Sequence, residues 1–158
     1  MSSQLGRKIK NVKVSIDDES RAMLKDLSGK QGLILYFYPR DNTPGCSTEA
    51  LDFQSQLARF RKAGYAVVGV SADSVKSHQR FIQKKQLEFT LISDTDLQLC
   101  NAFAVYGEKK FMGKTHMGIH RRTFILDPSL KVIKEYLQVR VKDHVQTVLA
   151  DLGLQGAV

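Results

Sequence analysis

Cys46 is the side chain of this chain best placed to do covalent chemistry. It closes the run Pro39-Arg40-Asp41-Asn42-Thr43-Pro44-Gly45-Cys46, which joins a strand expected at residues 33–38 to a helix expected over residues 46–62. A thiol at a helix start sits where unpaired backbone N–H groups and the helix dipole both favour negative charge. Cys46 is therefore expected to be a thiolate at neutral pH, the nucleophilic form of cysteine. The Thr43 hydroxyl, three residues upstream, can reach the same spot. Pro39 and Pro44 stiffen the turn and remove two N–H groups that would otherwise need partners. The backbone N–H groups of Gly45 and Cys46 are left to donate to whatever the sulfur attacks.

Other chemistries find less support. Cys100 sits on an expected helix with Leu97, Phe103 and Ala104 on one apolar side, the pattern of a core cysteine. No Cys-x-x-Cys occurs, which argues against a dithiol oxidoreductase. His116 and His120 are four apart, a metal-binding spacing on a helix. Gly113 and Gly118 argue against a helix there, and no carboxylate or thiol completes a set, so no metal is expected. No Gly-rich nucleotide loop and no Ser-His-Asp arrangement is present.

The elements that must position Cys46 read as alternating strands and helices. Residues 12–16 alternate like a short half-exposed strand, and residues 20–27 are ambiguous between strand and helix. The continuous apolar run Leu33-Ile34-Leu35-Tyr36-Phe37-Tyr38 suits a central strand covered on both faces. The helix over residues 46–62 takes its apolar side from Leu51, Phe53, Leu57, Ala58 and Phe60, and Gly64 ends it. A second central strand follows at 65–72, a helix at 74–85, and a short strand at 89–92. Asp94 is expected to cap a helix reaching residue 104. Residues 107–118 read as a Gly- and Lys-rich loop. A hairpin pairs residues 122–126 with 131–137, and an amphipathic helix covers 142–152. The pattern predicts an α/β fold in which a central mixed β-sheet is flanked by α-helices.

The chain has 158 residues, 42% apolar and 25% charged, as expected for one domain over residues 1–158. No apolar run is long enough to span a membrane, and no secretory leader is evident at the N-terminus. Two cysteines point to a reducing compartment, the cytoplasm. The net charge of +8 raises the question of a nucleic-acid partner. The basic residues are scattered, without a stripe of interleaved aromatics, so none is expected.

The pattern Pro39-x-x-x-Thr43-x-x-Cys46 resembles the active-site motif of peroxiredoxins. Its flanks, Phe37-Tyr38-Pro39 and Cys46-Ser47-Thr48-Glu49, resemble the peroxiredoxin Q or bacterioferritin comigratory protein subfamily. The segment from Gly118 through Arg121-Arg122 to Asp127 is similar to the family's second motif. Ser77-His78, Leu91 through Asp94 and the run from Tyr106 to Lys114 also agree. The likeness covers roughly residues 28–150, and the Pro-Asp-Phe usual near the family's start is missing. It implies a thioredoxin-like fold and a thiol peroxidase, an oxidoreductase that needs no cofactor. Its substrates would be hydrogen peroxide and organic hydroperoxides, and thioredoxin, glutaredoxin or glutathione would reduce it.

By the same resemblance Cys46 is the nucleophile, Thr43 its hydroxyl partner and Arg121 the cation facing the sulfur. Alternation along a strand turns Arg122 the other way. Pro39, Gly45 and Glu49 would shape the peroxide site, Glu49 by orienting Arg121, although an acid in a first helical turn needs only the dipole to explain it. The positions where relatives carry a resolving cysteine hold Leu51 and Ile82. A one-cysteine cycle is therefore expected, with an external thiol attacking the sulfenic acid of Cys46. If Cys100 resolved instead, local unfolding or a second subunit would have to join the sulfurs. The subfamily resemblance implies a monomer or weak homodimer. A redox sensor or chaperone-like binder using the same cysteine remains the alternative to a turning-over enzyme.

Overall fold

The computed structural model describes residues 3–17 and 20–154. Among the described residues nine strands form, β1 (Lys13–Ser15), β2 (Arg21–Met23), β3 (Gly32–Phe37), β4 (Tyr65–Ser71), β5 (Thr90–Ser93), β6 (Tyr106–Phe111), β7 (Lys114–Ile119), β8 (Arg122–Leu126) and β9 (Val132–Tyr136), together with four α-helices, α1 (Pro44–Lys62), α2 (Val75–Lys85), α3 (Gln98–Ala102) and α4 (His144–Asp151). Seven strands make one sheet in the order β2-β1-β5-β4-β3-β8-β9. The central strands β3, β4 and β5 run parallel, and β8 lies antiparallel to β3. This is the mixed sheet flanked by helices that the alternating pattern predicts. Among the described residues no helix is long and apolar enough to cross a membrane.

The apolar run of β3 divides by parity. Leu33, Leu35 and Phe37 enter one core with Phe124, Leu99, Cys100 and Phe103. Ile34, Tyr36 and Tyr38 enter the other, with Cys46, Ala50, Phe53, Leu57 and Phe60 of α1 and Val148 of α4. Alternate side chains of a strand point to opposite faces, so a strand covered on both sides must be apolar throughout. Burying each large ring or aliphatic chain contributes about 2 kcal/mol, and Phe53, Phe60 and Phe124 are fully buried.

Several expectations are corrected. Residues 107–118 are no loop: β6 and β7 form a two-stranded hairpin, closed by Met112 and Gly113, both at positive φ. Two left-handed residues make the tight turn that matches strand twist. The ribbon is largely exposed, so it lacks the apolar alternation by which strands are recognised. The helix after Asp94 is confined to Gln98–Ala102. Asp94 still serves its start, its carboxylate accepting from the N–H groups of Leu99 (3.0 Å) and Cys100 (2.8 Å). The ambiguous residues 20–27 split into β2 and a 3₁₀ turn at Leu24–Leu27. Leu51 and Ala58 face outward on α1, whose buried side is Cys46, Glu49, Ala50, Phe53, Leu57 and Phe60.

Candidate active site

The main chain leaves β3, passes the buried Tyr38 and enters α1 at Pro44, two residues earlier than expected. Proline suits a first helical position because its φ is preset and its missing N–H has no helical partner to lose. Cys46 therefore lies within the first turn of α1 and is 1% exposed. Thr43 stands in the N-cap position with extended backbone, yet its side chain makes no capping bond. Its hydroxyl donates to the Arg40 carbonyl at 2.9 Å. A hydroxyl has one proton, so in this geometry Thr43 can only accept from a substrate and does not donate to the sulfur. Pro39, partly buried, begins the loop that carries Asp41 and Thr43.

The cation arrives from across the sheet. Arg121 immediately precedes β8, whose Arg122 pairs with Phe37 at the end of β3. The Arg121 Nη2 donates to Cys46 Sγ at 3.2 Å and its Nη1 donates to Glu49 Oε1 at 2.6 Å. Arg122 points through the opposite face and donates to the carbonyls of Ala104 (2.9 Å) and Leu137 (3.3 Å). Gly45 leaves room for the guanidinium: a Cβ there would sit 3.3 Å from Arg121 Nη2. Burial alone would pull Arg121 down, but the negative charges of Glu49 and Cys46 outweigh it and raise it above its ordinary value.

Glu49 is fully buried, which corrects the view that the helix dipole suffices to explain it. An exposed acid would serve the dipole as well; a buried one must hold something. Burial pushes its carboxyl from 4.5 up to about 7 against the pull of Arg121. Its Oε2 has no hydrogen-bond partner among the described residues. Above it lies Tyr36, stacked on Phe53 with ring centroids 4.5 Å apart. Burial, then the charges of Glu49 and Cys46, raise the Tyr36 phenol well above its ordinary range, so it stays neutral. Only glycine fits beneath it at position 69, where a Cβ would come within 2.9 Å of the ring.

Two neighbours escaped the sequence reading. His144, at the start of α4, hydrogen-bonds through Nε2 to Thr123 Oγ1 at 2.8 Å. Burial and then the Arg121 charge lower it from 6.5 to about 4. Lys109 of β6 donates to the Ile119 carbonyl at 2.9 Å, and burial together with Arg121 lowers it. His144 has no motif, and Lys109 lies in the run from Tyr106 to Lys114 with nothing local to set it apart from Lys110; both are brought here by the pairing of β6 with β7 and the docking of α4.

Cys100 belongs to the core on the far face of the sheet from Cys46. Burial, aided by Asp94, raises its thiol far above the usual range. Among the described residues, one group of three metal-ligating side chains comes together, Asp41, Asp73 and His78. Their facing atoms are already engaged in hydrogen bonds with one another and with Tyr38, Ser71 and Ser77. A surface cavity of about 610 Å³ lined by Lys30, Arg61, Tyr65 and Thr90 holds none of the residues around Cys46.

Residues 5–135 match the AhpC/TSA family. Peroxiredoxin Bcp of Xanthomonas campestris is 50% identical over 120 residues, covering 76% of this chain and 75% of that protein. Peroxiredoxin Bcp of Bacillus subtilis is 41% identical over 152 residues, 96% of each chain. A Cys→Ser variant of Xylella fastidiosa PrxQ superposes with a TM-score of 0.87 at 39% identity, over 94% of both chains. The Xanthomonas campestris bacterioferritin comigratory protein, studied for its alkyl peroxide reduction, gives 0.82 at 44% identity over 90% of both. With the thioredoxin-like sheet, a cysteine in the first turn of α1 and an arginine on its sulfur, the chain belongs to the AhpC/TSA family, among the peroxiredoxins of the Bcp or peroxiredoxin Q type.

Proposed function

We propose that Cys46 is the sulfur through which this thiol-dependent peroxidase reduces hydrogen peroxide and organic hydroperoxides. One observation carries the assignment: Arg121 reaches Cys46 Sγ at 3.2 Å while Glu49 holds the other end of its guanidinium. A fixed cation beside a thiol at a helix amino end favours the thiolate. The thiolate attacks one peroxide oxygen in line, an S–O bond forms, the O–O bond breaks and its electron pair leaves with the other oxygen. That oxygen takes a proton and departs as water or alcohol, and Cys46 becomes a sulfenic acid. Arg121 and the N–H groups opening α1 steady the charge on the departing oxygen. Thr43, its proton committed to Arg40, accepts a hydrogen bond from the peroxide O–H. Pro39 and Gly45 shape the entrance.

Recycling is proposed to use one cysteine. The positions that hold resolving thiols in similar proteins are Leu51, exposed on α1, and Ile82, partly buried on α2. Cys100 lies behind the sheet, whereas a disulfide needs Cα atoms within about 7 Å. An external thiol therefore attacks the sulfenic sulfur, releasing water and leaving a mixed disulfide that a second thiol clears. Thioredoxin, glutaredoxin and glutathione are the candidates, in a reducing cytoplasm, with the chain acting as a single-domain monomer or weak homodimer. The test is peroxide consumption with each reductant, with non-reducing gels after one equivalent of peroxide. Turnover lost in Cys46→Ser and no internal disulfide support the reading. A Cys46–Cys100 disulfide overturns the one-cysteine cycle.

A further inference from the structure

The loop from Pro39 to Thr43 has no regular structure, and yet Asp41 within it is 6% exposed. Its carboxylate is wrapped by three donors. Tyr38 donates to Oδ1 at 2.6 Å, and Ser77 (2.8 Å) and His78 Nδ1 (2.7 Å) meet Oδ2. Its backbone N–H donates to Asp73 Oδ2 at 2.8 Å, an oxygen that also accepts from Ser71 at 2.7 Å. His78, 1% exposed, places its second nitrogen 3.0 Å from the Ile92 carbonyl. The loop is thereby fastened to the end of β3, to the turn before α2, to α2 itself and, through the ring, to β5.

Asp41 already accepts two hydroxyl protons. Burial would raise its carboxyl, but the bonds from His78, Tyr38 and Ser77 prevail and hold it below the ordinary range. An ionised carboxylate only accepts, so His78 Nδ1, 2.7 Å from Oδ2, donates to it, and the two side chains meet out of water. Such a pair costs several kcal/mol in desolvation and rarely stabilises a fold beyond an apolar replacement; what it supplies is geometry.

We propose that the Asp41–His78 pair is a positioning clamp for the peroxide-reducing site, setting the loop that places Thr43 and the first turn of α1 against Arg121. The proposal rests on Cys46 being the reacting sulfur. Neither residue is assigned a contact with that sulfur; they act through the backbone. Arg40, whose carbonyl fixes the Thr43 hydroxyl, is the neighbour of Asp41, so a shift of Asp41 moves that acceptor directly. In-line attack on an O–O bond tolerates little misplacement, and a displacement of about 1 Å costs up to about a hundredfold. Alkylation of the same sulfur by iodoacetamide asks only for a thiolate and access.

The test compares those two reactions on the same samples of the full-length protein. Rapid mixing gives the rate of Cys46 oxidation by hydrogen peroxide, and a parallel assay gives its rate of alkylation by iodoacetamide. In Asp41→Asn and His78→Gln the ratio of peroxide to alkylation rate is expected to fall about tenfold or more. A ratio within about twofold of wild type in a folded variant overturns the clamp, because a loss of stability alone would not change how the folded sulfur discriminates. Should both variants fail to fold, Ser77→Ala keeps the Asp41–His78 pair, removes one donor, and is expected to lower the same ratio by about threefold. An unchanged ratio there overturns the proposal. A long-range proton–nitrogen spectrum of the wild-type protein adds a test without substitution: the His78 Nδ1 that faces Asp41 must carry a proton, and an Nδ1 without one contradicts the clamp. Wild-type Cys46 that reacts with peroxide no faster than a peptide thiol counts against the site assignment instead.

Discussion

Glu49→Gln should make the fold more stable and the enzyme slower. The folded protein raises the Glu49 carboxyl from 4.5 to about 7, chiefly through burial. Between those two values the native state binds more protons than the unfolded chain, so wild-type stability from this group falls as pH rises through that window. Above it the buried charge costs about 3 kcal/mol relative to the neutral form. Glutamine is close to an isostere of the protonated acid and carries no such cost. The variant should match wild type near pH ~4 and exceed it by up to about 3 kcal/mol at pH ~8, roughly 6–10 °C in Tm. Urea unfolding under reducing conditions across that range reads the difference. Meanwhile the Arg121 Nη1 bond to position 49, 2.6 Å in the native protein, loses its charged acceptor. A charged hydrogen bond is worth about 1 kcal/mol more than a neutral one, so Cys46 oxidation should slow about fivefold. A variant less stable than wild type at pH ~8, or a stability difference that does not grow with pH, refutes the reasoning.

His144 imposes the opposite slope. Its value is depressed from 6.5 to about 4, so its contribution is present above 6.5 and is lost as pH falls toward 4. In wild type this loss overlaps the gain from protonating Glu49. Urea titrations of Glu49→Gln should expose it as acid lability over that window, and His144→Gln in the same background should flatten it. Arg121→Lys cannot span the sulfur and Glu49 at once and should cut the peroxide rate about a hundredfold in stopped flow. Cys100→Ala should leave steady-state turnover and the non-reducing gel pattern unchanged. Dialysis against a chelator should likewise leave peroxide consumption intact; its loss would reveal a metal dependence.

The sequence made the central strand and the turn that carries Cys46 readable for different reasons. Leu33 to Tyr38 is apolar throughout because both sheet faces are covered, and Thr43-Pro44-Gly45-Cys46 carries turn and helix-start chemistry in adjacent residues. Arg121 was separable from Arg122 through the resemblance to the family's second motif; alternation along a strand adds only that one of the two can lie on the Cys46 face. The hairpin of β6 and β7 was hidden because an exposed ribbon of Glu108, Lys109 and Lys110 paired with Thr115, His116 and Met117 buries too little to impose a pattern. The burial of Glu49 was hidden because local sequence does not say which side of a first helical turn meets Arg121, 72 positions away. Asp41 and His78 lie within motifs that say nothing of their partners. Their pairing depends on α2 folding back beneath the loop, a tertiary fact with no local signature.

The most direct measurement of the central claim is the reaction of Cys46 itself with hydrogen peroxide, followed by rapid mixing while the pH is varied, beside the alkylation rate of the same thiol. Oxidation is expected at least about a thousandfold faster than that of a peptide thiol. A sulfur that oxidises no faster than a peptide thiol would contradict the assignment.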